Sequence, residues 1–222
     1  MKKVIFLAFA TTAIIHSHAQ TGITAGMNLS RYSIKADAAD LTDRKAIMSW
    51  NAGIYYRKPL SKIAALQPEL AWTGKGGQAY PFYPIGYTGP MKYVNRLGYL
   101  QLTVPVMLDL SLPSMDDNDN FRIDIGAGPY AAALLKATAT AVEFDDSKAT
   151  SDYTIGKDAS NGFKRMDYGM RYIAGFTMLQ SLGAHLQYDQ GFRNIEPNPA
   201  YRAIRARNFS VNLSWQFGDK KD

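Results

Sequence analysis

Cysteine is absent from all 222 residues, so no disulfide staples the chain and no thiolate can hold a metal. Histidine is scarce. His16 and His18 fall in an N-terminal leader, which leaves His185 as the one imidazole of the remaining chain. A single imidazole without thiols argues against a zinc or copper site, and no cofactor is expected. Beyond residue 20 there is no long uninterrupted apolar run, so no transmembrane helix is expected. Charge is also modest, at a formal +6, or +4 without Lys2 and Lys3. For an exported chain this argues against nucleic acid and favours anionic lipid headgroups as the acidic partner.

What is present begins with the leader. Lys2 and Lys3 precede an apolar stretch from Val4 to Ile15, and Ser17-His18-Ala19 supplies small residues for cleavage before Gln20. Residues 1–19 are therefore expected to be a signal peptide. Residues 20–222 form the mature domain, a length that suits one all-β barrel. The apolar stretch is shorter than the roughly 18–20 residues a spanning helix needs. Aromatics are plentiful: 14 Tyr, 10 Phe and 3 Trp, which suit pleated surfaces and membrane interfaces.

The dominant signal is alternation with period two, repeated about eight times. Asn208 to Phe217 separates Phe209, Val211, Leu213, Trp215 and Phe217 from Asn208, Ser210, Asn212, Ser214 and Gln216. Successive strand side chains point to opposite faces, so one face is wholly apolar and the other wholly polar. The same split recurs over 22–30, 49–58, 63–73, 96–110, 121–131, 165–177 and 181–189.

Alternation alone leaves the inside face open, because a soluble sandwich or lipocalin-like barrel buries the apolar side. Three features favour a membrane barrel whose apolar face meets lipid. The polar faces carry ionisable groups able to pair across a narrow lumen. Apolar segments often end on Trp or Tyr. The connections alternate in length: 31–48, 74–95, 136–163 and 190–207 are long, while 58–62, 111–120 and 178–181 are shorter. Long extracellular loops and short periplasmic turns follow that pattern. The expected fold is an all-β, transmembrane, antiparallel up-and-down barrel of eight strands. Ten strands are the alternative if part of 136–163 adds a hairpin. Pro68 and Pro105 fall inside proposed strands and call for a bulge or rim position, since proline cannot donate to a ladder.

At this point the chain resembles the PorT-like outer-membrane β-barrel domain proteins of Bacteroidetes-type bacteria. The resemblance rests on Gly26-Met27-Asn28-Leu29-Ser30, Leu66-Gln67-Pro68-Glu69-Leu70 and Tyr99-Leu100-Gln101-Leu102-Thr103-Val104-Pro105. It continues through Gly126-Ala127-Gly128-Pro129-Tyr130, Asp167-Tyr168-Gly169, Gly191-Phe192-Arg193-Asn194-Ile195 and the closing Phe217. It spans nearly the whole mature chain. It implies localisation in the cell outer membrane and, loosely, a role beside protein secretion. The tail after Phe217 departs from barrels that end on an aromatic residue.

Glu69, Gln101, Arg122, Asp124, Asp167, Arg171, His185 and Asp189 share the polar faces and are expected to form a paired lumen network, because isolated buried charges are costly. Such a network would fill an eight-strand lumen and oppose conduction. A nucleophilic Ser181 activated by His185 is the enzymatic alternative, but four residues along a strand is far. The plain reading pairs His185 with a lumen carboxylate such as Asp189 or Asp167. Asp116-Asp117-Asn118-Asp119-Asn120 has Phe121 where a calcium loop wants Gly and Ala127 where it wants Glu, so a solvated turn is expected. Tyr80, Phe82, Tyr83, Tyr87 and Tyr93 are the candidates for loop contacts with a partner. Arg202, Arg205 and Arg207 are the candidates for lipid phosphate, with lipopolysaccharide as the partner.

The function expected from these residues is non-enzymatic: a barrel acting through its extracellular loops or rim, as an accessory of secretion or envelope assembly, with an envelope protein as a second class of partner. A small passive porin-like channel and a lipid-modifying membrane enzyme are the alternatives.

Overall fold

The computed structural model describes residues 20–34, 43–80, 90–111, 121–156, 158, 162–178, 181–198 and 203–217. The expected leader, Phe82, Tyr83, Tyr87, Arg202, the Asp116 to Asn120 run and the tail after Phe217 lie outside these residues. The strands are β1 (Gln20–Ile34), β2 (Asp43–Lys45), β3 (Ile47–Pro59), β4 (Ala64–Leu66), β5 (Glu69–Tyr80), β6 (Lys92–Thr103), β7 (Val106–Ser111), β8 (Arg122–Val142), β9 (Lys148–Asp152), β10 (Met166–Met178), β11 (Leu182–Gly191) and β12 (Ile204–Phe217).

All named strand pairings are antiparallel, and the sheet closes where β1 pairs with β12, from Thr21 opposite Phe217 to Ile34 opposite Ile204. The ring has eight staves: β1, β3, β4 with β5, β6 with β7, β8, β10, β11 and β12. Closure satisfies the backbone of every stave laterally, which is what an apolar surround demands. The hairpin anticipated within 136–163 exists, since β9 pairs with β8 from Thr138–Asp152 to Val142–Lys148. It extends one hairpin beyond the ring and adds no stave. The strands also run further than the alternation suggested: β5 reaches Tyr80, β6 starts at Lys92 and β12 starts at Ile204. The long connections are correspondingly shorter than their expected bounds.

The sidedness follows the membrane reading. Leu213 is 61% exposed while its neighbour Asn212 is 1% exposed, and Asp124 is fully buried. Val104 and Ile123 are half-exposed on the outer face. Met27, Trp50, Ile54, Leu102, Leu108, Ile125, Leu186 and Val211 join Leu213 on the outside. A soluble barrel would bury that stripe, so the soluble alternative fails on the direction of the side chains.

The prolines sit where staves break. Residues 67–68 separate β4 from β5, and 104–105 separate β6 from β7. Their carbonyls still accept: Tyr56 N donates to Pro68 O at 2.9 Å and Gln67 N to Pro105 O at 3.0 Å. Val104 N donates to Pro129 O at 3.0 Å, so three prolines lie on three adjacent staves. The chain comes close here, and a Cβ on Gly128 would meet Pro105 Cα and Val104 O, both at 2.3 Å. Gly128→Ala is therefore expected to cost about 1–3 kcal/mol, the usual penalty of overpacking, since the obstruction is backbone. Urea unfolding in detergent micelles checks this; an unchanged midpoint would show that the break yields freely.

A second irregularity lies in β8. The register shifts at Gly98/Tyr99, with Gly98 opposite Lys136 and Tyr99 opposite Leu134, leaving Leu135 as the extra residue of a bulge. Leu134 and Ala137 stay inside, while Leu135 and Lys136 both face out.

Candidate functional site

The lumen is filled by two charged groups and an apolar cap. The first group lies toward the end that carries Gln20 and Phe217. Arg57 on β3 pairs with Asp109 of β7, meets Asp124 of β8 at 3.2 Å and bonds to Gln67. Arg122 Nε approaches Asp124 Oδ1 at 2.8 Å and its Nη2 donates to Thr177 Oγ1 at 3.3 Å. Asp124, with two guanidinium groups, Thr177 and His185 around it, is the anchor of this layer.

The second group lies above it. Arg171 and Asp189 face each other across β10 and β11 and form a two-point bond, Nε to Oδ1 at 2.6 Å and Nη2 to Oδ2 at 3.0 Å. The third guanidinium nitrogen reaches Glu69 Oε1 on β5 at 3.1 Å. Asp189 also accepts from Gln101 Nε2 at 3.1 Å. Lys75 of β5 meets Asp167 of β10 at 3.1 Å, beneath Tyr130, whose hydroxyl donates to the same carboxylate at 3.1 Å. The ammonium lies 4.3 Å from the Tyr130 ring centroid and 5.2 Å from that of Tyr99. Staves on different sides of the tube are thus tied through charge-assisted bonds, the strong class of hydrogen bond. All of these side chains are buried, and each cation has its carboxylate.

Toward the loop end the filling changes character. Leu97, Tyr99, Tyr130, Ala132, Leu134, Ala137, Phe163 and Ile195 form a buried apolar cluster, with Tyr32, Tyr153, Ile155 and Ile204 against it. Phe163 and Ile195 come from connections that fold inward. Gly156 N donates to Phe163 O at 3.0 Å, Lys164 N to Ile195 O at 2.8 Å and Ile195 N to Ile204 O at 2.9 Å. The Phe163 ring meets Tyr153 edge-on at 5.2 Å and Tyr32 at 6.3 Å. Burial pushes the Tyr153 phenol above its ordinary pKa. The expectation of a wholly hydrophilic filling is therefore corrected. Near the mouth, inward-facing residues such as Leu97, Leu134 and Tyr99 are apolar because loop side chains roof them over and exclude water.

The structure brings all eight expected lumen residues inside but divides them between the two groups. Arg122, Asp124 and His185 sit in the lower one, and Glu69, Gln101, Asp167, Arg171 and Asp189 in the upper. His185 meets a lumen carboxylate, but neither of the two named as examples. Its Nε2 lies 3.3 Å from Asp124 Oδ2, not beside Asp189 or Asp167, and Nδ1 lies 3.4 Å from Ser214 Oγ. Asp189 is occupied by Arg171 on the same layer. Lys75 was missed because Gly74-Lys75-Gly76-Gly77 reads as a loop, although Lys75 keeps the inward parity of Glu69 and Thr73.

The Ser214–His185–Asp124 chain superficially resembles a hydrolase relay. The lower cavity beside it has a volume of about 10 Å³ and is also lined by Arg57, Arg122 and Ser181. That is room for about one water, and no acyl substrate fits. Among the described residues no cluster of His, Asp or Glu has the arrangement of a metal centre.

Of the loop aromatics, Tyr80 is half-buried, donates to Gln78 Oε1 at 3.0 Å and lies under Lys45, whose Nζ is 4.8 Å from the ring centroid. Tyr93 is half-buried on β6. Of the candidate lipid contacts, Arg205 is exposed and Arg207 half-exposed on the outer face of β12. Arg207 lies directly opposite Arg31 of β1, which adds a further cation to this patch.

The whole architecture can be set beside known proteins. No curated protein matches the sequence. Among solved structures, the chain is similar to Ail, the attachment invasion locus protein of Yersinia pestis, at 11% identity, covering 90% of this chain and 99% of that one, with a TM-score of 0.38. It is similar to Neisserial surface protein A at 10% identity, covering 90% and 100%, with a TM-score of 0.43. It is similar to the outer membrane protein OprG of Pseudomonas aeruginosa at 10% identity, covering 92% and 98%, with a TM-score of 0.45. The family model for the outer membrane protein beta-barrel domain matches residues 11–196. With the closed ring and its outward apolar stripe, that match settles the family: the chain belongs to the outer membrane protein beta-barrel domain family, and its place is the outer membrane.

Proposed function

We propose that this barrel is non-enzymatic and non-conducting and works through its outer end, as a PorT-like accessory of protein secretion or envelope assembly. The observation that carries the reading is the filled lumen: Arg171 held between Glu69 and Asp189, beneath the Leu97–Leu134–Phe163–Ile195 cap. A tube blocked twice offers no path for ions, and the small cavity by His185 offers no room for a lipid substrate. The surfaces left for a partner are the rim and the connections, where Tyr80 and Tyr93 flank residues 81–89. Arg205 and Arg207, joined by Arg31, are suited to lipid phosphate beside that rim, since like charges directly opposite on neighbouring strands repel unless an anion sits between them.

In planar bilayers the purified barrel is expected to give no stepwise conductance at moderate voltage. Regular steps in the wild type would support the porin-like reading instead. Affinity purification from envelope membranes is expected to recover one envelope protein in stoichiometric amount. Replacing 81–89 with a short Gly-Ser turn is expected to lose it while heat-modifiable migration on a detergent gel persists. Equal recovery with the replaced loop would remove the aromatic connection from the interface.

A further inference from the structure

On the outer wall, one cleft differs from the rest of the lipid-facing surface. It has a volume of about 420 Å³ and lies across β3, β5, β6 and β8, with Trp50, Trp72, Arg96, Gly98, Lys136 and Thr138 in its lining. The Trp50 and Trp72 rings lie 6.3 Å apart, tilted by 32°. The Trp72 indole covers Gly98, where a Cβ would come within 2.3 Å of its Cζ2. Gly74 and Gly98 are cross-strand partners, so neither adds a side chain to the cleft.

Two cations border it. Arg96 is the cross-strand partner of Thr138, and Gly98 that of Lys136, so Arg96 and Lys136 are diagonal neighbours on adjacent staves. Both are exposed on the outer face. Lys136 points outward because Leu135 is the bulged residue; with a regular register it would turn into the lumen. Arg96 donates to Met48 O at 3.4 Å, which leaves most of its five N–H donors unused. Among the described residues, neither cation has a carboxylate within 4 Å. On β6 and β8 the outward stripe first turns cationic here: Leu102 and Leu100 give way to Arg96, and Ile125 and Leu135 to Lys136. A change from apolar to cationic side chains toward the loop side is what a membrane–water boundary imposes on a barrel wall.

We propose that this cleft binds a phosphorylated glycolipid of the outer leaflet. The phosphate lies between Arg96 and Lys136, the sugar lies over the indoles beside Thr138, and an acyl chain follows Trp72 and Leu100 into the hydrocarbon. Charge complementarity argues for the phosphate, because two lipid-facing cations with no carboxylate beside them among the described residues favour a fixed anion. The indoles and the level on the wall argue for a lipid rather than a free ion. The site does not depend on the function proposed above, since it faces lipid and lies outside the lumen.

The test uses Trp215→Phe, so that only Trp50 and Trp72 report. In detergent micelles, titration with bisphosphorylated lipid A is expected to shift and saturate the fluorescence. Lipid A with both phosphates removed is expected to bind at least tenfold more weakly. Arg96→Gln with Lys136→Gln should lose the same factor, whereas Arg96→Lys with Lys136→Arg should retain binding. Heat-modifiable migration confirms that each variant is folded. Equal binding of dephosphorylated lipid A, an unchanged titration in the double Gln variant, or an equal response to inorganic phosphate alone would each overturn the proposal.

Discussion

Arg171→Met is expected to lower the stability of the barrel by about 3–5 kcal/mol, the usual cost of breaking a buried ion pair from one side. Arg171 donates through three nitrogens to Asp189 and Glu69, and all three side chains are buried. Methionine nearly fills the volume but leaves two carboxylates facing a cavity without their cation. Lys75 lies 4.0 Å from Asp189 and is held by Asp167 at 3.1 Å, so it compensates poorly. Urea unfolding in detergent micelles, followed by tryptophan fluorescence, measures the loss. Adding Glu69→Gln and Asp189→Asn to Arg171→Met is expected to recover most of it, because the buried charge is then gone from both sides. A midpoint unmoved by the single change would mean that the guanidinium is not what closes the lumen.

Leu213→Arg is expected to cost about 2–4 kcal/mol of folding into lipid vesicles, the penalty for a cation near the midplane of a barrel wall. Leu213 sits mid-strand between Val211 and Trp215 on the outward stripe of β12. Leu213→Phe keeps the apolar contact and is expected to fold like the wild type. The comparison reads sidedness directly, since arginine is tolerated on a wet face and resisted by hydrocarbon. Equal folding of both variants into vesicles would contradict an outward apolar face. Together with Arg171→Met, the experiment separates the two surfaces of one wall: one change leaves carboxylates unpaired inside, the other forces a charge on lipid outside.

Much of this was legible in local pattern. Phe209 to Phe217 alternate so cleanly that strand, faces and register parity follow from β geometry alone. The members of the lumen network share one parity, and burial of ionisable groups requires partners, so a paired network was a sound expectation. Which group pairs with which was not legible. Arg171 and Glu69 are 102 residues apart, and the contact exists only because β5 and β10 face each other across the closed ring. A lumen carboxylate was expected beside His185, with Asp189 or Asp167 as examples, yet its neighbour is Asp124, brought there by the β8–β10–β11 order. Lys75 was hidden by flanking glycines that are loop-like in sequence and strand-like in the wall.

The amino-acid sequence by itself determined the strands, their two faces, the alternation of long and short connections and the absence of thiols. These depend on side-chain type at fixed spacing, and spacing is a local property. Only the tertiary structure decided the pairings inside the tube, the apolar roof of Phe163 and Ile195, and the outward turn of Lys136 at the β8 bulge. Those depend on which staves become neighbours when the sheet closes, and closure is a property of the whole ring.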